Sequence, residues 1–473
     1  MNTSTLHVAF TGGGTAGHLF PGLAVAEQLV RQVPCARVTF LGSGKPLEHG
    51  SVASAGFDYV TVPCQAMPRH WREWVPALWR NAAGYFAARH WLFHNACDLV
   101  VGLGGYASAA TARAALDCRL PLVLLEQNAV PGRVTRWLAA RATVVCVAFE
   151  QARARLPSDC QVLVTGNPIR PGFISPGFIS PGFSESGFKT PFALGTDRRF
   201  VGGEGSFVTP LVACGRGVGS DGEPITPLSP CGRGAGVRGS DVLLGLLNPG
   251  LIDPADANAE LGLAHLSQDA SETAPRRRLL ILGGSSGAQS LNRSVPKALD
   301  QIRSRLGRWE IVHQSGQAGL SETRDLYHRL GLDATVAPFV VEMPALLALS
   351  DLVICRAGGT TLAELTVAGV PAVLIPYPHA SDDHQRENAE VFVRQGAGVM
   401  LDERPSPEPL EDRLAGVLVR LLDDGAMRRQ MGAAMRRLAR PNAAADVAAV
   451  ICQLALGTGN SASGSGKPQP IAA

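Results

Sequence analysis

Val8-Ala9-Phe10-Thr11-Gly12-Gly13-Gly14-Thr15-Ala16-Gly17-His18 carries an apolar run through a turn of small residues straight into a helical pattern. Strand, glycine turn and helix in that order build an anion site. Glycine lets the backbone approach a ligand closely, and the unpaired N–H groups of the first helical turn, with the macrodipole behind them, favour a phosphate. His18 stands in that first turn, where a neutral imidazole beside a bound diphosphate is placed to accept a proton from an attacking hydroxyl. The same residues satisfy Gly-x-Gly-x-x-Gly at Gly12, Gly14 and Gly17, the pattern of a dinucleotide site. A nicotinamide site also needs an acidic residue about 20 positions on, at the end of the second strand. Here the second strand, Arg37 to Leu41, ends in Gly42-Ser43-Gly44, which argues against nicotinamide. A glycine turn with no ligand remains the plainer alternative.

The chain has 473 residues, 46% of them apolar and 18% charged, enough for two or three domains with real cores. A net charge of +3 is small for this length and gives no general nucleic-acid footprint. Ten cysteines lie scattered without a Cys-x-x-Cys pair, which reads as reduced thiols in a cytoplasmic protein rather than a disulfide or zinc framework. No basic segment followed by an apolar one opens the sequence, and no apolar run reaches about 18 residues, so neither export nor a membrane span is expected.

Short β-branched runs alternate with Ala- and Leu-rich helical patterns. The first series is Leu6 to Phe10, Arg37 to Leu41, Leu99 to Gly102, Leu120 to Leu125, Thr143 to Val147 and Val162 to Thr165. A second follows at Leu279 to Leu282, Glu310 to His313, Thr335 to Ala337, Leu352 to Cys355 and Ala372 to Pro376. Such alternation predicts an α/β chain of two Rossmann-like halves, each a mostly parallel sheet covered on both faces, with ligands at the carboxyl ends of the strands. Between them, Pro171 to Ala255 holds 18 Gly and 10 Pro in 85 residues, one third of the segment and above the share at which packing is expected. Pro171-Gly-Phe-Ile-Ser recurs at Pro176, and Thr209-Pro-Leu-Val-Ala-Cys-Gly-Arg-Gly returns in altered form from Thr226, too few copies for a solenoid. The expected organisation is therefore 1–170, a disordered Gly/Pro-rich insertion over 171–255, a second half over 256–456, and a disordered tail over 457–473.

The second half opens with its own glycine turn, Gly283-Gly284-Ser285-Ser286-Gly287, where the Ser285 hydroxyl adds a donor to the backbone amides. A third turn, Arg356-Ala357-Gly358-Gly359-Thr360-Thr361-Leu362-Ala363-Glu364, puts a carboxylate on the first turns of a helix, either as a dipole partner or as the group a ribose diol needs. No Asp-x-Asp pair sits at a strand end, so neither a metal nor another cofactor is called for.

Taken in order, Gly12 to Ala24, Gly104-Gly105-Tyr106, Glu126-Gln127-Asn128, Gly166-Asn167-Pro168-Ile169-Arg170, Gly283 to Ala288, Arg356 to Glu364 and Asp383-His384-Gln385-Arg-Glu-Asn388 resemble the bacterial MurG family of lipid-linked N-acetylglucosaminyltransferases. The resemblance runs from about Leu6 to Arg170 and from Asp256 to Leu454. It implies a B-type glycosyltransferase fold, two Rossmann-like domains facing a cleft. It further implies inverting transfer of N-acetylglucosamine from UDP-N-acetylglucosamine to lipid I, giving lipid II for peptidoglycan, by a peripheral protein at the inner face of the cytoplasmic membrane. On that likeness His18 is catalytic. The donor is met by Ser285 near the diphosphate, by Val340 and the turn of Gly359, Thr360, Thr361, Leu362, Ala363 and Glu364 around uridine and ribose, and by Gln385 on the sugar. The first half contributes Thr15, Ala16, Gly17, Asn128 and Arg170. Two positions depart from the family pattern: Leu125 stands where His is usual, and Ser286 where Gln is common. Alternatives from other classes are a different B-type lipid glycosyltransferase, a UDP-sugar epimerase and an inactive nucleotide-binding scaffold.

A lipid-borne acceptor requires a way onto a membrane. Arg69-His70-Trp71-Arg72-Glu73-Trp74-Val75-Pro76-Ala77-Leu78-Trp79-Arg80, with Tyr85, Phe86, Arg89, His90 and Trp91 beyond, concentrates four of the six tryptophans among basic residues. Pro76 is expected to start a helix that places Leu78, Trp79, Ala82, Tyr85, Phe86 and Phe93 on one broad face. That face is an interfacial anchor or the buried side of a domain helix, and sequence leaves both open.

Overall fold

In the computed structural model the described residues are 5–68, 70–173, 277–284, 288–340 and 342–459, all within one compact body. The expected insertion lies almost wholly, and most of the tail lies, outside them.

In the first half the elements run β1 (His7–Thr11), α1 (Ala16–Gln32), β2 (Arg37–Gly42), α2 (Pro46–Ser54), β3 (Asp58–Thr61), α3 (Trp74–His94), β4 (Leu99–Gly102), α4 (Tyr106–Asp117), β5 (Leu122–Glu126), α5 (Arg133–Leu138), β6 (Val144–Val147) and β7 (Val162–Val164). All pairings are parallel, in the order β3-β2-β1-β4-β5-β6-β7. The second half runs β8 (Arg277–Leu282), α6 (Gln289–Gln301), β9 (Trp309–Gln314), α7 (Leu320–Arg329), β10 (Thr335–Ala337), α8 (Met343–Ala348), β11 (Leu352–Cys355), α9 (Gly359–Ala368), β12 (Ala372–Leu374), α10 (His384–Arg394), β13 (Gly398–Met400), α11 (Leu410–Asp423), α12 (Gly425–Arg437) and α13 (Ala443–Gly459). Its parallel order is β10-β9-β8-β11-β12-β13. The strands β3 and β13, absent from the sequence reading, are edge strands. One is half-exposed and the other has three residues, so neither shows the apolar run that marked the central strands.

In each sheet the order of strand addition reverses once, between β1 and β4 and between β8 and β11, where Val8 pairs with Leu99 and Leu282 with Cys355. Crevices at the carboxyl ends of strands open at such switch points. The Gly12 turn and Leu103-Gly104-Gly105 flank the first; Gly283-Gly284 and Arg356 to Gly359 flank the second.

Alternation sends Val8 and Phe10 to the core under α1 and Ala9 to the opposite face with Val100 and Leu92. The halves also exchange segments. Ile169 and Phe173, which follow β7, are buried among Leu280, Val340, Met343 and Leu362 of the second half. In return, Ala444, Val447, Ala448 and Ile451 of α13 are buried among Leu19, Val25 and Leu29 of the first. A fully buried Phe contributes roughly 2–3 kcal/mol, so these crossings bind the halves firmly.

The aromatic helix begins at Trp74 rather than at Pro76, after a single 3-10 turn over Trp71–Glu73. Pro76 still falls in the first turn, where a missing N–H costs nothing. Ala77, Gly84, Ala88 and Leu92 form the buried stripe, and Gly84 lies so close to Pro63 that a Cβ would meet its carbonyl oxygen. The opposite stripe, Val75, Trp79, Phe86 and Phe93, is open to solvent, with Leu78 at its edge. No helix among the described residues is long and apolar enough to cross a membrane.

Candidate active site

The Gly12-Gly13-Gly14 turn takes φ values of +137°, +141° and +80°, which only glycine adopts without strain. Its anchor is Glu48, on α2. That buried carboxylate accepts from the Gly14 N–H, from the Ser43 N–H and hydroxyl at 2.7 and 2.6 Å, and from the Tyr59 hydroxyl at 2.7 Å. Burial alone would raise its pKa, but the four hydrogen bonds outweigh burial and hold it below the usual carboxylate value. Lys45 donates to the Gly14 carbonyl at 2.9 Å. Part of the anion-binding capacity read from the sequence is thus met by the chain's own carboxylate, while the N–H groups of Ala16 and Gly17 head α1 beyond that network. Glu48 passed unnoticed in the sequence because Lys-Pro-Leu-Glu resembles any helix start.

His18 lies half-buried on the first turn of α1, its Nδ1 2.9 Å from Gln127 Oε1. Gln127 follows β5, is 3% exposed, and donates its Nε2 to the Leu103 carbonyl at 3.1 Å. Its neighbour Asn128 is the residue expected from the sequence to bind substrate. That residue donates to Glu126 through its N–H and Nδ2, and its Oδ1 accepts from Asn388 Nδ2 at 3.0 Å. Asn388, fully buried on α10, also accepts from the Ala129 N–H and donates to the Ala357 carbonyl. Asn128 therefore sits in a seam between the two halves.

A second tie runs through Gly17. Pro21, four residues on in α1, has no N–H to offer the Gly17 carbonyl, and that carbonyl accepts instead from the Thr360 hydroxyl at 3.0 Å. The structure thus brings Thr15, Ala16, Gly17 and His18 against the start of α9. Gly359 opens that helix so near the first half that a Cβ would lie 2.1 Å from the Gln127 carbonyl oxygen. Thr361 is half-buried, Leu362 points into the core, and Ala363 borders a cavity of about 40 Å³ with the Asn167 amide. Both polar atoms of that amide are buried without a protein partner among the described residues, and the space suits one or two waters.

Glu364, also on α9, is paired with Arg170 from the first half, whose guanidinium also lies 5.4 Å from the ring centres of Phe20 and Phe173. Burial raises the Glu364 pKa and Arg170 opposes it. Gln385 Oε1 accepts from the Tyr377 N–H at 2.9 Å. Just before it, Asp382 and Asp383 both take positive φ, a strained turn braced by Arg136 on one and Arg404 on the other. Val340 is buried in the core, which leaves its backbone rather than its side chain to meet a ligand. Ser285 lies outside the described residues. Arg356 donates to the Ile375 and Pro376 carbonyls and to Ser290, so it shapes the loops after β11 and β12.

Two family models match the chain: the glycosyltransferase family 28 N-terminal domain over residues 8–147 and its C-terminal domain over 278–446. Curated relatives named UDP-N-acetylglucosamine--N-acetylmuramyl-(pentapeptide) pyrophosphoryl-undecaprenol N-acetylglucosamine transferase include one from Geobacter sulfurreducens, 30% identical over 93% of this chain and 96% of its own. Another, from Trichlorobacter lovleyi, is 31% identical over 92% of this chain and 94% of its own. Among solved structures, Acinetobacter baumannii MurG superposes with a TM-score of 0.61 at 24% identity, covering 95% of this chain and 99% of that one. A putative UDP-N-acetylglucosamine 2-epimerase from Listeria monocytogenes gives 0.56 at 12% identity over 95% and 96%, so the fold by itself does not separate a transferase from an epimerase. Identity over nearly the full length does separate them: the chain belongs to the MurG family of glycosyltransferases.

Proposed function

We propose that this protein moves N-acetylglucosamine from UDP-N-acetylglucosamine to the acceptor hydroxyl of lipid I, with inversion, and that His18 is the general base. The observation that carries the reading is the place of His18. One ring nitrogen is held by a buried amide, while the turn bearing it is bonded through Gly17 to the helix whose Glu364 is the candidate ribose carboxylate. Nε2 takes the proton as the acceptor oxygen bonds to the sugar carbon and the diphosphate leaves with its electron pair. Donor-side groups are the backbone of Gly359 to Ala363, Glu364, Gln385, Ser285 and the Val340 backbone; Thr15 to Gly17, Asn128 and Arg170 serve from the first half. Helix-end amides and a guanidinium suit the developing charge on the leaving diphosphate.

The acceptor is lipid-borne, and α3 supports its delivery. Its Val75, Trp79, Phe86 and Phe93 stripe faces away from the core, flanked by Arg80, Arg89, His90 and His94, which are exposed. Aromatic rings with arginines at their rim suit an anionic bilayer surface, and in this reading that surface is the cytoplasmic membrane.

The test is transfer of labelled N-acetylglucosamine to a lipid I analogue. The expected result is turnover by the wild type and a roughly 10²- to 10⁴-fold lower kcat for His18→Gln, with UDP affinity nearly kept. Equal turnover by the two would remove His18 as the base, and no transfer by the wild type would overturn the assignment.

A further inference from the structure

We propose that Gln127 is the positioning residue that selects the tautomer of His18, and so decides which imidazole nitrogen is free to take a proton. The proposal deepens the reading of His18 as the base and rests on it. Its logic is a chain of forced donors and acceptors. The Leu103 carbonyl only accepts, so the end of the Gln127 amide 3.1 Å from it is the NH₂ group, which turns Oε1 toward the imidazole. An amide oxygen also only accepts, so the proton between Oε1 and His18 Nδ1, 2.9 Å apart, belongs to Nδ1. A neutral imidazole carries one such proton, and the lone pair is therefore on Nε2.

The ring is held as well as oriented. Gly104 and Gly105, at φ +90° and +72°, bring bare backbone against it: a Cβ at Gly104 would lie 3.3 Å from Cε1 and Nδ1, and one at Gly105 would lie 3.4 Å from Cδ2. Burial of Gln127 at 3% exposure keeps water from competing for Oε1. The backbone of the same residue abuts Gly359, so one residue sets the base with its side chain and touches the first residue of the donor-side helix with its carbonyl. A neutral amide has a further property in this place. When Nε2 takes the acceptor proton, both nitrogens carry protons and Nδ1 keeps its bond to Oε1. A carboxylate there would also favour the charged ring before the reaction begins, and an amide does so far less.

The experiment uses the full chain with ¹⁵N-labelled histidine. Nitrogen NMR of the wild type at neutral pH is expected to show His18 protonated at Nδ1 and bare at Nε2. In Gln127→Met, of similar length but without the acceptor, the bare-Nε2 signal should give way to the other tautomer or to a mixture. Turnover of the lipid I analogue should fall roughly 10²-fold while KM for UDP-N-acetylglucosamine stays within about twofold. In Gln127→Glu the acid limb of the pH–rate profile should move to higher pH, because an anion favours imidazolium; a merely structural role would not move it. A wild-type His18 protonated at Nε2, or an unchanged tautomer in Gln127→Met, overturns the proposal, and the wild-type spectrum decides even where a variant fails to fold. If the tautomer shifts in Gln127→Met and the rate does not, the Gln127 assignment stands and the base role of His18 falls.

Discussion

Arg170 and Glu364, 194 positions apart, meet through a single carboxylate oxygen: the guanidinium Nε and Nη2 donate to Glu364 Oε1 at 2.9 and 2.8 Å. One cation from the first half thereby neutralises a carboxylate that is 8% exposed in the second, and Oε2 is left for a further donor such as a ribose hydroxyl.

Glu364→Gln should weaken UDP binding by about 1.5–3 kcal/mol, the usual value of hydrogen bonds to a charged group, in calorimetric titration. Unchanged affinity would take Glu364 out of the donor site. Arg170→Met is expected to cost about 3 kcal/mol in denaturant unfolding, because it leaves the Glu364 carboxylate, 8% exposed, without its partner.

Trp79 and Phe86 are 74% and 63% exposed, so replacing both with Glu should leave the melting temperature within about 2 °C while abolishing sedimentation with anionic vesicles. Turnover of a short-chain soluble acceptor should be spared. Retained vesicle binding would send the membrane contact elsewhere.

His313 supplies a pH dependence. It is fully buried; its Nε2 pairs with Asn292 Oδ1 and its Nδ1 with the Tyr327 hydroxyl, both at 3.0 Å, and burial lowers its pKa to about 3. The unfolded chain takes up the proton near pH 6.5 and the folded one does not. This contribution is therefore complete above that value and is lost as pH falls toward 3, at about 1.4 kcal/mol per pH unit. Urea unfolding from pH 6 to 4, between the two values, should approach that slope, and His313→Gln should flatten it. An equal slope in the variant would assign the effect to other groups.

Glu48 should matter to the glycine turn in the opposite ionisation state. Its lowered pKa means that its stabilisation is present above the ordinary carboxylate value of 4.5 and disappears as pH falls through the lower folded value. At neutral pH, Glu48→Ala is expected to cost about 2–3 kcal/mol and to reduce kcat by loosening the turn that carries His18. If stability drops and kcat holds, the turn does not depend on this anchor.

Central strands and their turns were legible because buried parallel strands are continuous apolar runs and glycine turns punctuate them, as around Phe10 and Cys355. The edge strands at Asp58 and Gly398 lack that signal. Side-chain partnerships across long separations were not legible at all. Gln127 meets His18 across 109 residues, and nothing local distinguishes it from Asn128 beside it. For α3 the ambiguity was physical: both of its stripes are apolar, and only the packing of Ala77, Gly84 and Ala88 against the body shows which one is inside.

The return of α13 to the first half has a consequence for the newborn chain. Leu19, Val25 and Leu29 are finally covered by Val447, Ala448 and Ile451, made hundreds of residues later. At roughly 5–20 residues per second, a ribosome takes on the order of 15–60 s to pass from the end of β7 to this helix. Throughout that interval the amino-terminal sheet is complete in strands yet bare along one side of α1. Chaperone occupancy on the nascent protein should rise once β7 has emerged and fall only after α13 has emerged.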